Sequence, residues 1–221
     1  MVYFVGAGAG DPELLTLKGK RLIDHADTLI YAGSLVNPEV LAGRKPSSKV
    51  YDSAGMTLEE VLAVMKETEQ AGGTTVRVHT GDASIYGAIR EQLDALDKLG
   101  IAHEVVPGVS SFLAAAAAMQ KEYTLPEVTQ TVILTRMEGR TPVPERERIE
   151  ELAKHRATMV IFLSVGRIVK FARLHRTLRI THLLTIHPYI EGDQTHLRFF
   201  IREKLCLLRN LAVKKLPHPV E

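Results

Sequence analysis

The 221-residue chain contains one cysteine, Cys206, and no apolar run near the roughly 20 residues that a membrane-spanning helix needs. A lone cysteine excludes an internal disulfide framework and favours a reducing compartment, so we expect a cytoplasmic protein. The start, Met1-Val-Tyr-Phe-Val, lacks the basic region of a signal peptide. With 45% hydrophobic and 24% charged residues, the composition excludes disordered and collagen-like chains and allows a buried core.

Common catalytic and metal-binding motifs are also missing from the sequence. It contains no CxxC, HExxH, P-loop or G-x-S-x-G pattern, so we predict no metal site and identify no catalytic residue. Glycine-rich turns without an acid–base pair are typical of chemistry that depends on binding and orientation.

The charge is divided unevenly along the chain. Residues 1–165 hold 17 Lys and Arg against 22 Asp and Glu, a net of −5, whereas residues 166–221 hold 11 against 4, a net of +7. The second segment also contains two of the 16 glycines but five of the nine histidines. The near-neutral total of +2 therefore conceals a change in composition near Val165.

Short apolar runs alternate with helical periodicities in the first three quarters of the chain. Strands are predicted at Val2–Val5, Thr28–Tyr31, Thr75–His79, His103–Val106, Thr129–Leu134 and Thr158–Leu163. Helices are predicted at Leu14–Ala26, after the capping box Thr57–Glu60, and at Ile85–Leu99, Ser111–Met119 and Glu145–His155. This alternation predicts an α/β protein with parallel sheets and flanking helices, and a domain seam within Ser111–Pro126.

The pattern weakens after Val165. A strand is predicted at His182–Ile186, and a basic amphipathic helix at Leu197–Leu211. Such a helix is typical of contact with a membrane surface or a nucleic acid, but a poorly specified terminal segment has the same composition. We favour the second interpretation and expect neither a membrane nor a nucleic-acid partner.

Four loops directly follow predicted strands: Gly6–Pro12, Thr80–Gly87, Pro107–Ser111 and Leu163–Gly166. Ligands of open parallel sheets bind outside the carboxyl ends of the strands. We therefore expect the four loops to converge on one edge and to form the site.

The residues of these loops leave alternatives open. The glycine loop is not a dinucleotide fingerprint, because the third glycine position is occupied by Asp11 and the next strand ends at Tyr31 rather than at an acidic residue. The Asp82 carboxylate suits ligand hydroxyl or ammonium groups, or else caps the following helix. Ser110 and Ser111 present the same choice at the next helix.

Several segments resemble the tetrapyrrole methylases, a family of S-adenosylmethionine-dependent enzymes. The opening Val2–Gly19 matches the first motif of that family. The segments Ala26–Pro38, Val78–Gly87, Glu122–Arg136 and Gly139–Pro142 are similar to the subfamily that methylates C11 of precorrin-4 or cobalt-precorrin-4 in cobalamin synthesis. The resemblance runs from Met1 to about Gly166.

The resemblance implies two α/β domains, at residues 1–112 and 113–221, usually in a homodimer. It implies S-adenosylmethionine as cofactor and a corrinoid precursor as substrate. It suggests cofactor contacts from Ala9, Asp82, Ile85, Ser110, Ser111 and Leu163. The substrate carries many carboxylates, so Arg136 and Arg140 are candidates to bind it, with solvated surface charge as the alternative.

No recognisable continuation of the family follows from about Arg167. We hypothesise that a frameshift or similar event replaced this part, which would leave the second domain incomplete or altered. Two alternatives to C11 methylation follow: methylation at another ring position, or a non-catalytic remnant that binds a tetrapyrrole.

Overall fold

The computed structural model describes residues 1–139, 141–164, 183–191 and 194–201, the last two ranges by their backbone alone. The chain divides into two compact units, the first containing Met1–Ala114 and the second beginning at Ala115. The predicted domains, 1–112 and 113–221, remain a prediction. No helix among the described residues is both long and apolar enough to cross a membrane.

The first unit contains a five-stranded parallel sheet. Its strands are β1 (Val2–Gly6), β2 (Thr28–Tyr31), β3 (Lys49–Asp52), β4 (Thr75–His79) and β5 (His103–Val106). They lie in the order β3-β2-β4-β1-β5, and each pair of neighbours is parallel. The two central strands β1 and β4 pair from Val2 with Thr75 to Gly6 with His79.

Helices cover both faces of this sheet, as a parallel sheet requires. They are α1 (Leu17–His25), α2 (Leu58–Gln70) and α3 (Arg90–Lys98). A further helix, α4 (Ser111–Met119), follows β5 in the chain. Ile23 of α1 packs in a buried cluster with Val5 and Val76. Met65 of α2 and Leu96 of α3 pack in a second cluster that contains Phe4, Ile30 and Val61. Neighbouring residues Phe4 and Val5 lie in different clusters because side chains alternate along a strand.

The second unit contains a four-stranded sheet in the order β6-β7-β8-β9. The strands are β6 (Val132–Arg136), β7 (Thr158–Phe162), β8 (Leu183–Glu191) and β9 (Gln194–Ile201). β6, β7 and β8 pair in parallel. Helix α5 (Ile149–Ala153) places Ile149 in a buried cluster with Met159 and Ile161 of β7.

The predicted α/β fold class is confirmed, and several elements have the predicted bounds. β2, β4, β5 and α4 begin and end where the sequence pattern places them. α2 begins after the predicted capping box, in which Thr57 and Glu60 each accept a hydrogen bond from the other's backbone N–H. β3 was not predicted, because its edge position leaves most of its side chains exposed and its sequence shows no apolar alternation.

Two predicted helices begin later than expected. The predicted helix Ile85–Leu99 starts at Arg90, because Tyr86 and Ala88 adopt left-handed backbone conformations with φ of 56° and 51°. The predicted helix Leu14–Ala26 is preceded by a short 3-10 turn, and α1 begins at Leu17, where Thr16 Oγ1 accepts from Gly19 N–H at 3.1 Å.

β1 extends one residue further than predicted, to Gly6, and the remaining differences lie in the second unit. The strand predicted at Thr129–Leu134 runs from Val132 to Arg136. The helix predicted at Glu145–His155 is a 3-10 turn followed by the five-residue α5, since Arg148 between them is extended. Its predicted strand His182–Ile186 overlaps β8, but β9 occupies Gln194–Ile201, so the predicted helix Leu197–Leu211 is wrong for its first five residues. Residues 202–211 lie outside the described ones.

Candidate functional site

Three loops leave the carboxyl edge of the first sheet beside its central strands. β1 connects through α1 to β2, while its neighbour β4 connects through α3 to β5 in the opposite direction. Open α/β sheets bind ligands outside the carboxyl ends of their strands, near the point where the direction of the connections changes. The chain order of this sheet therefore places the site at the loops after β1, β4 and β5.

The loops after β1 and β4 are joined through their backbones. Gly8 N–H donates to Gly81 O at 3.2 Å, and Gly81 N–H donates to Gly8 O at 2.7 Å. Both glycines have positive φ, 74° for Gly8 and 63° for Gly81, which other residues adopt with strain. Ala7 N–H also donates to His79 O at 2.7 Å. Together these bonds fix the position of the first loop relative to the second.

The loop after β5 packs equally closely against the other two. A Cβ atom on Gly108 would lie 2.2 Å from Gly81 O, and one on Gly6 would lie 2.5 Å from the same oxygen. A Cβ on Gly81 would lie 3.6 Å from both Ser110 Cα and Ser111 N. The three loops thus meet backbone to backbone, so the predicted convergence is confirmed for them.

Asp82 connects two of these loops through its carboxylate. Oδ2 accepts from Gly108 N–H at 2.8 Å, and Oδ1 accepts from Ser84 N–H at 2.8 Å and from the Ser84 hydroxyl. Burial alone would raise the pKa of Asp82, but the hydrogen bonds from Ser84 and Gly108 outweigh it and lower the pKa below 3.8. Asp82 therefore stays ionised and stabilises the turn after β4.

The other predicted cofactor residues of the first unit lie beside Asp82 on the same loops. Ala9 and Ser110 are buried, and Ile85 is half-buried with its N–H donating to Asp82 O at 3.2 Å. Ser110 O accepts from Leu113 N–H at 3.0 Å, which places Ser110 immediately before α4 and half-buried Ser111 at its first residue. The structure thus brings five of the six predicted cofactor residues to one edge.

A fourth segment, after β2, contacts these loops and was not assigned a role from the sequence. Asn37 Nδ2 donates to Gly10 O at 2.7 Å, and Thr80 Oγ1 donates to Leu35 O at 2.8 Å. The segment lies within Ala26–Pro38, which resembles the family. Its local sequence does not predict these two hydrogen bonds, because they join residues 27 and 45 positions apart.

The remaining predicted residues belong to the second unit. Leu163 follows β7, with φ of 53° and 68% of its surface exposed. Because β7 lies in the second sheet, the expectation that all four loops share one sheet edge is wrong.

The Arg136 guanidinium donates to Met137 O, Thr141 O, Thr141 Oγ1 and Pro142 O at distances between 2.9 and 3.4 Å. Arg140 lies outside the described residues.

The acidic and histidine side chains of the described residues form no cluster of three or more that could hold a metal ion. What the first unit offers a ligand is a set of backbone groups, small side chains, serine hydroxyls and one ionised carboxylate. These groups suit a polar organic molecule that carries both donors and a positive charge.

A family model described as Tetrapyrrole (Corrin/Porphyrin) Methylases matches residues 1–186. The chain therefore belongs to the tetrapyrrole methylase family. The match continues beyond residue 166, where the motif resemblance was expected to end.

Curated relatives agree with this assignment. The chain is 56% identical over 172 residues to the cobalt-precorrin-4 C(11)-methyltransferase of Methanocaldococcus jannaschii, covering 78% of this chain and 66% of that protein. It is 52% identical over 163 residues to the protein of the same name from Priestia megaterium, covering 74% of this chain and 63% of that protein. It therefore spans just under two thirds of their lengths. The precorrin-4 C(11)-methyltransferase of Pseudomonas aeruginosa is 47% identical over 169 residues, covering 76% of this chain and 67% of that protein.

Solved structures share the fold over a longer stretch. The X-ray structure of a cobalt precorrin-4 methyltransferase superposes with a TM-score of 0.83 at 43% identity, covering 91% of this chain and 84% of that one. The uroporphyrin-III C-methyltransferase of Thermus thermophilus, complexed with S-adenosylhomocysteine, superposes with a TM-score of 0.68 at 29% identity, covering 91% and 82%.

Proposed function

We propose that the chain is an S-adenosylmethionine-dependent methyltransferase that transfers a methyl group to C11 of precorrin-4 or cobalt-precorrin-4 in cobalamin biosynthesis. The observation that carries this proposal is the identity of 56% and 52% to two cobalt-precorrin-4 C(11)-methyltransferases over about three quarters of the chain. Of the two substrate forms, the higher identities favour the cobalt-bearing one, because the relatives named for the metal-free form are between 40% and 47% identical to this chain. A cytoplasmic homodimer belongs to the same proposal.

The loops of the first unit fit such a cofactor. S-adenosylmethionine carries an ammonium, a carboxylate, ribose hydroxyls and a cationic sulfonium. Gly8 and Gly81 contribute no side chains where their backbones meet, and buried Ala9 adds only a methyl group. The lowered pKa of Asp82 keeps a negative charge at the edge, where a cationic ligand is favoured.

When bound, the cofactor supplies a methyl group already activated by its sulfonium charge. The chain's contribution is then to orient two ligands and to exclude water, which needs no acid–base pair. In this proposal Asp82 holds the loops after β4 and β5 at a fixed separation through Ser84 and Gly108. Backbone groups of the Gly8–Ala9 and Ser110–Ser111 segments bind the cofactor.

Arg136 was expected to bind the carboxylates of the substrate, but this proposal gives it a structural role. Its guanidinium holds the loop Met137–Pro142 through four hydrogen bonds, so we assign it to positioning that loop rather than to direct binding of substrate carboxylates. Arg140, four residues further along the sequence, stays a sequence-based candidate for direct contact with the substrate.

Calorimetric titration of the full chain with S-adenosylhomocysteine, followed by turnover with precorrin-4 and with cobalt-precorrin-4, tests the function. We expect saturable cofactor binding and a product whose added methyl lies on C11 by carbon NMR. Methylation at another ring position would show a different tetrapyrrole methyltransferase. Corrinoid binding without cofactor binding would show a non-catalytic member of the family.

A further inference from the structure

Two polar side chains are buried beneath the loop that follows β4. Arg77 of β4 and Gln92 of α3 are each 7% exposed, and Arg77 pairs in register with buried Phe4 and Ile30. Arg77 Nη1 donates to Ile30 O at 3.2 Å, and Arg77 Nε donates to Gln92 Oε1 at 3.4 Å. Burial lowers the pKa of Arg77 to about 10, and no carboxylate among the described residues pairs with it. Burying such groups is costly, so a role beyond packing is expected.

The other end of Gln92 contacts the loop itself. Gln92 Nε2 donates to Ala88 O at 3.3 Å. Tyr86 and Ala88 have positive φ. Gly87, between them, packs so closely against the Ala83 backbone that a Cβ on it would lie 2.1 Å from Ala83 O. Left-handed conformations of residues other than glycine persist only where surrounding contacts enforce them. Ile89, which precedes α3, has no side-chain cap, so Gln92 supplies the anchor at this helix start.

We infer that Gln92 is a positioning residue that fixes the loop Asp82–Ala88 for cofactor binding, with Arg77 orienting its amide. The inference rests on the proposed function, because Asp82 and Ile85 on this loop are the expected cofactor contacts. Gln92 lies seven positions beyond Ile85, on the helix behind the loop, and acts through Ala88 without touching the cofactor. Its amide is needed whole: the oxygen accepts from Arg77 and the nitrogen donates to Ala88.

The variant Gln92→Glu separates these two contacts. The carboxylate still accepts from Arg77 but has no donor for Ala88 O and repels it. We expect S-adenosylhomocysteine to bind about tenfold more weakly by calorimetry, as the loss of one buried hydrogen bond allows. The KM for S-adenosylmethionine should rise while the KM for the corrinoid stays unchanged. Gln70→Glu, the same change at an exposed position of α2, is the matched control and should leave both values unchanged.

Amide hydrogen exchange provides a readout that needs no cofactor. In Gln92→Glu the amides of Ser84–Ala88 should exchange faster, while those of β4 keep their protection. If the wild-type chain bound no cofactor, the proposed function would fail, and exchange alone would still decide whether Gln92 fixes the loop. Unchanged exchange in these amides would overturn the inference.

A double variant covers the case in which Gln92→Glu does not fold. Arg77→Met with Gln92→Leu replaces both partners by apolar residues of similar size, which often preserves stability. It still removes the anchor of Ala88. We expect a folded chain with weaker S-adenosylhomocysteine binding and faster loop exchange. Wild-type affinity and exchange in this variant would show that the pair only fills space.

Discussion

Acidification should destabilise the first unit through His79. This side chain is 4% exposed at the end of β4, and its Nε2 atom has no hydrogen-bond partner among the described residues. Its ring stacks on Phe4 with the ring centroids 6.0 Å apart. Burial, reinforced by the positive charge of Arg77, lowers the pKa of His79 from 6.5 to about 3. The folded chain therefore keeps the imidazole neutral where the unfolded chain protonates it.

The sign and size of the effect follow from linkage. Well above pH 6.5 neither state binds the proton, so this contribution to stability is fully present there. As the pH falls from 6.5 towards 3 the unfolded state binds a proton that the folded state excludes, and the free energy of unfolding decreases. At about pH 5 the difference amounts to about 2 kcal/mol, at 1.36 kcal/mol per pH unit below the unfolded pKa.

Urea denaturation at about pH 7.5 and about pH 5 measures this difference. His79→Phe retains a ring against Phe4 and removes the titrating group, so its loss of stability between the two pH values should be smaller than that of wild type by about 2 kcal/mol. His25→Gln, at an exposed position of α1, should behave like wild type. Equal pH dependence in wild type and His79→Phe would refute the assignment of a buried neutral imidazole.

Three further changes test the loops and one helix end. Gly108→Ala places a Cβ 2.2 Å from Gly81 O, so we expect a loss of about 1–3 kcal/mol in thermal unfolding, whereas Gly55→Ala, with nothing within 4 Å, should be neutral. Asp82→Asn removes the charged acceptor of the Ser84 and Gly108 N–H groups, so we expect a loss of about 1–3 kcal/mol in denaturation. Because folding lowers the pKa of Asp82, this difference should shrink as the pH falls below about 4; a pH-independent loss would contradict this. Thr57→Ala should cost about 1 kcal/mol through the lost capping box, and Thr57→Ser should restore most of it, measured by chemical denaturation.

The site was predictable in part from the sequence. Loops rich in glycine after β1, β4 and β5 identify the edge where ligands of parallel sheets bind, and the three loops do meet there. Whether Asp82 faces a ligand or the protein was left open, because its decisive partner, Gly108, lies 26 residues away. The roles of Asn37 and Thr80 were not predicted for the same reason, because each donates to a carbonyl 27 or 45 residues away. The role of Gln92 depends on Arg77, 15 residues earlier, as well as on the nearby Ala88.

The sequence by itself determined the elements whose signals are local. β2, β4 and β5 follow from apolar runs that end at turn residues. The start of α2 follows from the capping box, in which Thr57 and Glu60 bond to each other across a four-residue segment. The tertiary structure decided what depends on distant neighbours. Helix α3 begins five residues late, after a loop in which Tyr86 and Ala88 are left-handed and in which the Asp82 carboxylate accepts from Gly108 N–H, 26 residues away. Propensity describes a chain segment alone, whereas a loop's conformation is set by the backbone groups that long-range packing brings to it.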